Sequence, residues 1–129
     1  MTNQVNKKMA EDFLAAYKDH DWDSIAKLLH PDIEWTLPGE GKISGTAMGI
    51  DAIIERVKMI INGGVVTTLH YILVGQNGLT LSLNNKATAS DGRVLDEELA
   101  TVLTVQNDLI TKIDTYLSDV AMMEQYFTK

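Results

Sequence analysis

The sequence predicts an α+β fold, with three helices in the N-terminal half packed on one face of a strongly curved, mixed but mainly antiparallel sheet and a short helix at the C-terminal end. Three observations carry this expectation. Apolar residues recur at three- and four-residue steps as far as Ile61, they switch to a period of two beyond Gly64, and short Gly/Asn/Asp turns divide the later part into neighbouring strands. Helices and strands that are segregated along the chain indicate layers of helix on sheet. Long strands bent around three helices leave a conical cavity between the layers, and such concavities hold small ligands.

Each element has its own signature. Val5, Met9, Phe13, Ala16 and Tyr17 form one stripe on a helix from about Asn3 to Lys18. Asp21 is placed to cap a second helix, whose inner face is Trp22, Ile25, Leu28 and Leu29, with Pro31 stopping it just after His30. Ile33 to Leu37 alternates apolar and polar as a short half-buried strand, ended by Pro38-Gly39. Ile50, Ile53, Ile54, Val57, Ile60 and Ile61 define the third helix, and Asn62-Gly63-Gly64 offers the left-handed stop it needs. Val65 to Val74, Leu79 to Ala89, Val94 to Gln106 and Leu109 to Leu117 read as strands. Ser118 or Asp119 then caps a last helical turn or two carrying Val120, Met123 and Phe127. With no repeat, low-complexity tract or linker, residues 1–129 read as a single domain.

Composition narrows the function. A chain of 129 residues with 45% hydrophobic and 22% charged residues is long enough to bury a core and is not of disordered type. It has no cysteine, which removes disulfides and thiol nucleophiles and is the usual state of a cytoplasmic protein. The start MTNQVNKKMAEDF lacks the apolar run of a secretory signal, and no stretch reaches the ~20 apolar residues of a membrane span. A formal net charge of −7 makes nucleic acid a poor partner, since phosphate binding requires cations. The expectation is a cytoplasmic protein that engages neither nucleic acid nor membrane.

The order of elements, together with Leu29-His30-Pro31-Asp32-Ile33-Glu34-Trp35 leading to Pro38-Gly39, Gly49-Ile50-Asp51-Ala52-Ile53 opening the third helix, and Ile113-Asp114-Thr115-Tyr116-Leu117-Ser118-Asp119, resembles the nuclear transport factor two-like superfamily. Within it, the chain is similar to SnoaL-like and ketosteroid isomerase-like proteins over almost its whole length. The resemblance implies a cone-shaped barrel, a cavity for a small hydrophobic molecule, no cofactor, and a homodimer formed through the convex sheet face. It also tests one chemistry. The isomerase base belongs where Leu37 stands, the oxyanion donors near Phe13 and Ala100, and none of these side chains can accept or donate a proton. Ketosteroid isomerisation by that mechanism is therefore not expected.

The segment LPGEGKISG, Leu37 to Gly45, looks at first like a phosphate loop. A P-loop needs glycine five residues before Gly41 and Ser or Thr after Lys42, where Thr36 and Ile43 stand, so it reads instead as a surface loop, which the resemblance implies flanks the cavity mouth. His70, Glu98 and Asp119 are the catalytic candidates. Histidine is the side chain whose proton moves most easily near neutral pH, and His70 either enters the pocket or lies on the outer surface or a subunit interface. Glu98 would turn inward on the isomerase alignment, or else be a solvated strand residue beside Arg93. Asp119 matches a proton-transfer aspartate of SnoaL-like cyclases, or simply caps the last helix. The ligand-lining candidates are Tyr17, Trp35, Leu37, Met59, Ala100 and Tyr116. No histidine pair or carboxylate cluster has metal-ligand spacing, and no nucleophile elbow occurs. Two functions stand side by side: an acid/base enzyme for isomerisation, cyclisation, dehydration or water addition on a small hydrophobic compound, and a non-catalytic binding or dimerisation module.

Overall fold

The computed structural model describes residues 2–128, with side chains from residue 7, so Val5 of the first stripe lies outside the described side chains. Ten elements follow in order: α1 (Thr2–Lys18), α2 (Trp22–Leu28), β1 (Leu29–Leu37), β2 (Gly45–Met48), α3 (Ile50–Asn62), β3 (Val66–Val74), β4 (Gly78–Thr88), β5 (Val94–Gln106), β6 (Leu109–Leu117) and α4 (Val120–Tyr126). The α+β architecture is the one expected. The six strands form one open sheet in the order β2-β1-β6-β5-β4-β3. Only the β1–β6 pair is parallel, with Trp35 opposite Ile113, and the remaining pairs are antiparallel.

Local chemistry explains most of the element ends. Asp21 caps α2 by accepting from the Ser24 N–H at 3.2 Å, and Asp119 caps α4 by accepting from the Met122 N–H at 2.9 Å. Gly64, at φ +81°, makes the left-handed exit from α3. The stop of α2 comes earlier than expected, at Leu28, because the chain is already extended at Leu29. Pro31 then sits inside β1, where the extended backbone that a proline requires of the residue before it is compatible with a strand. The short β2 falls within what reads as loop, since its four residues show no alternation of burial. Gly78 opens β4 so close to β5 that a Cβ there would lie 1.9 Å from the Leu103 carbonyl oxygen, a contact only glycine avoids.

The core lies between the helices and the concave sheet face. Ile25, Ile33, Ile53, Val57, Leu81, Leu95, Leu103 and Ile110 are fully buried there, drawn from both layers. On β5 the buried apolar residues Leu95 and Leu103 are odd-numbered, which fixes the inward phase of that strand. On β3 the phase breaks: Leu69 pairs with Leu83 and Tyr71 with Ser82, leaving His70 as an extra residue in a bulge. Alternation from the inward Leu69 turns His70 outward, and the bulge then turns Tyr71 outward as well. Tyr71 and Leu73, which belong to the more apolar face on simple alternation, are consequently 67% and 56% exposed on the convex side.

Candidate functional site

The cone encloses a cavity of about 80 Å³. Its wall is mostly aliphatic and aromatic, with Phe13, Leu14, Leu37, Ile43, Leu83 and Leu99 among its residues. Register arranges its polar groups in bands. Thr67, Asn85 and Glu97 face one another across β3, β4 and β5. Leu83, Leu99 and Leu117 form the next row, and Thr101 and Thr115 pair across β5 and β6 beyond it. All of these line the cavity.

Glu97 is the unusual member. It is 3% exposed, and its Oε1 is buried without a hydrogen-bond partner among the described residues. Burial in this apolar wall, reinforced by the charge of Asp119, pushes its carboxyl up to about 7 from the ordinary value. Beside it, the Thr67 hydroxyl donates to Asn85 Oδ1 at 2.6 Å, and Thr67 is also hydrogen-bonded with Tyr17. Burial holds the Tyr17 phenol above its usual value, so it stays a neutral donor. In the other band, Trp35 Nε1 donates to Thr115 Oγ1 at 3.0 Å, and the Thr115 and Thr101 hydroxyls are 3.3 Å apart.

Three expected residues thus line the cavity: Tyr17, Trp35 and Leu37. Others require correction. Glu98 points to the convex face, because Glu97 takes the inward phase set by Leu95 and Leu103; its Oε1 meets His70 Nε2 at 3.2 Å and its Oε2 accepts from Asn84. His70 is a convex-face residue, turned there by simple alternation from the inward Thr67 and Leu69. Ala100 and Tyr116 are cross-strand partners on that same face, with Tyr116 60% exposed. Met59 lines a separate surface cleft with Lys42, Asn62 and Arg93. Asp119 is a helix cap whose charge reaches Glu97, so it acts on the site from outside the wall. Thr67, Asn85, Glu97, Thr101 and Thr115 are polar cavity residues that sequence reading did not single out.

Amides of the LPGEGKISG loop are taken up within the protein at Glu40, Gly41 and Ser44. The Glu40 N–H donates to the Glu124 carboxylate, and the Gly41 N–H to Ser44 Oγ at 3.0 Å. The buried Arg56 guanidinium takes the Trp35 carbonyl at 2.7 Å and the Gly45 carbonyl at 3.0 Å, and lies 5.2 Å over the Trp35 ring. Backbone carbonyls converge on a cation there, the reverse of a phosphate cradle. The loop instead contributes Ile43, 4% exposed, to the cavity wall.

Among the described residues, no group of three His, Cys, Asp or Glu side chains is placed to hold a metal ion, and no helix is long and apolar enough to cross a membrane. Comparison with known proteins agrees with this fold. The family model of the SnoaL-like domain matches residues 10–113. An uncharacterised protein of Mycobacterium tuberculosis (strain ATCC 25618 / H37Rv) is 23% identical over 98% of this chain and 99% of its own. Among solved structures, Bal32a from a soil-derived mobile gene cassette superposes with a TM-score of 0.90 at 19% identity, covering 97% of this chain and 98% of that one. An NTF2-like protein from Burkholderia xenovorans LB400 gives 0.84 at 21% identity over 100% and 99%. TerC, co-crystallised with polyporic acid, gives 0.82 at 18% identity over 97% and 99%.

Proposed function

The chain belongs to the SnoaL-like domain family, and on that premise we propose that its cone binds a small hydrophobic molecule on which Glu97 moves a proton. The observation that carries this reading is the orphaned Glu97 carboxyl oxygen, buried in an otherwise apolar cavity. A carboxyl held near neutrality is populated in both protonation states at physiological pH, which is what a group that must both take and return a proton requires. The cavity wall carries a single carboxylate, so the reactions that suit it are those with one shuttling group, isomerisation foremost: a proton leaves one carbon of the guest for Glu97 and returns to another. Tyr17, Thr67 and Asn85 keep a polar patch beside that carboxyl. Pockets that hold drug-sized ligands measure roughly 300–1,000 Å³, so a cavity of about 80 Å³ suits a guest of few heavy atoms and not a polycycle. TerC, a structural neighbour that has been crystallised with an organic acid, supports small-molecule binding by a cone of this kind.

The test is deuterium exchange and double-bond migration in a panel of small enones and ketones, comparing wild type with Glu97→Gln. Full activity in the variant removes Glu97 from the reaction. No binding of any panel member removes the cavity reading altogether. A second reading, self-association through the convex face in a cytoplasmic homodimer, is favoured by the exposure of Tyr71, Leu73 and Tyr116 on that face. Light scattering of wild type and Tyr116→Glu decides it, and a monomeric wild type rejects it.

A further inference from the structure

Resting on the cavity reading above, we infer that Trp35, Thr115 and Thr101 form a second station in the cone that seats a neutral oxygen acceptor, the carbonyl oxygen of a small ketone or aldehyde. The argument is a count of protons. The trio has three N–H and O–H protons: the Trp35 indole N–H and the two threonine hydroxyls. The indole proton is committed to Thr115 Oγ1 at 3.0 Å, and one hydroxyl proton bridges the two threonine oxygens at 3.3 Å. Whichever threonine donates in that bridge, one hydroxyl proton is left over, and no hydrogen bond among the described residues accepts it. Thr101 and Thr115 are 9% and 3% exposed and both line the cavity, so water outside the protein does not take that proton either.

A buried donor without an acceptor is costly, and an acceptor brought by a guest relieves the cost. The station is neutral, which favours a carbonyl oxygen over a carboxylate, since no cation stands in the cavity wall to offset a second negative charge near Glu97. It is also independent of the isomerase resemblance: the places where that resemblance expects donors hold Phe13 and Ala100, and this trio comes from β1, β5 and β6. Arg56 fixes its geometry from behind, because its hold on the Trp35 carbonyl and its stacking on the indole leave that ring little freedom. Along β5, Thr101 lies four residues from Glu97, roughly 13 Å at the rise of an extended strand. A guest of few heavy atoms does not span that distance, so the station selects guests by their carbonyl and holds them apart from Glu97, which stands at the other band.

The experiment measures cyclopentanone against methylenecyclopentane, which have nearly the same shape, by chemical-shift titration of the full chain. The expected result is a preference of about fivefold for the ketone, the worth of one ordinary hydrogen bond. Thr101→Val still leaves one spare proton, now on Thr115, and keeps the preference. The triple variant Trp35→Phe, Thr101→Val, Thr115→Val leaves none and loses it while still binding the hydrocarbon. Thr115→Val frees the indole N–H, whose own resonance then moves when ketone is added; this reading does not depend on the triple variant folding. Glu97→Gln retains the preference, since that carboxyl is not part of the station. Equal binding of both probes to wild type overturns the station and leaves the cavity standing. Binding of neither overturns both.

Discussion

Glu97 and Glu98 are neighbours in sequence and identical in chemistry, yet they live on opposite sides of one sheet. Glu97 faces the helices, is 3% exposed and has a carboxyl oxygen with no partner. Glu98 faces outward, its side chain 60% exposed, with His70 on one oxygen and Asn84 on the other. The difference shows how much a strand's phase decides a carboxylate's surroundings. The isolated Glu97 has its proton affinity raised toward neutrality by burial. A shift of one residue along β5 would exchange the two fates.

The largest test of this contrast is catalytic. Glu97→Gln is expected to lower turnover of a responsive panel compound by about 10³-fold, within the usual range for loss of a general acid or base, whereas Glu98→Gln changes it by about twofold or less. Equal losses from the two variants would erase the distinction. Next in size is the pH dependence of stability. Glu97 binds its proton more tightly folded than unfolded, so the folded chain holds more protons between the ordinary value of 4.5 and about 7. Stability then falls as pH rises through that window, carries no penalty below it, and reaches a loss of about 3 kcal/mol above it. Urea unfolding of wild type and Glu97→Gln across pH 4 to 8 checks this, the variant lacking that slope. On the other face, Glu98→Gln or His70→Ala costs about 1 kcal/mol or less, because their ion pair is solvent-screened; a denaturation midpoint reads it. The smallest expected effect is a downward move of the Glu97 titration in Asp119→Asn, which removes the lesser of its two causes while an asparagine still caps α4. Carboxyl chemical shifts against pH report it.

The contrast was within reach of the sequence, and its legibility was uneven for physical reasons. Helix α3 and strands β5 and β6 were plain, because Ile-rich stripes, two-residue alternation and Asn-Gly or Asn-Asp turns are local signals. Alternation put Trp35 and Leu37 on one face of β1, and the family resemblance turned that face into the cone. The acidic run Asp96-Glu97-Glu98 was harder, since alternation separates its members without saying which goes in. Leu95, Leu99 and Leu103 share the phase of Glu97 and carried the answer, but the isomerase alignment drew attention to Ala100 and so to Glu98. The outer surface was one of the two places left open for His70, and what was not legible is the outward turn of Tyr71. A bulge is one unpaired residue in a ladder, and β3 offers no glycine or proline to announce it. Thr101 and Thr115 look like ordinary strand residues until the register sets them beside each other and beside the indole of Trp35.

The parallel join of β1 to β6 also sets a timetable. Trp35 and Thr115, whose side chains bond across that join, are 80 residues apart in the chain. A polypeptide emerging N-terminal end first therefore carries an apolar β1 with no neighbour on that flank until β6 has been made. Closing such a distant pair is slow compared with forming a helix or hairpin, so the funnel is sealed last, by the same strand that delivers one of its two threonines.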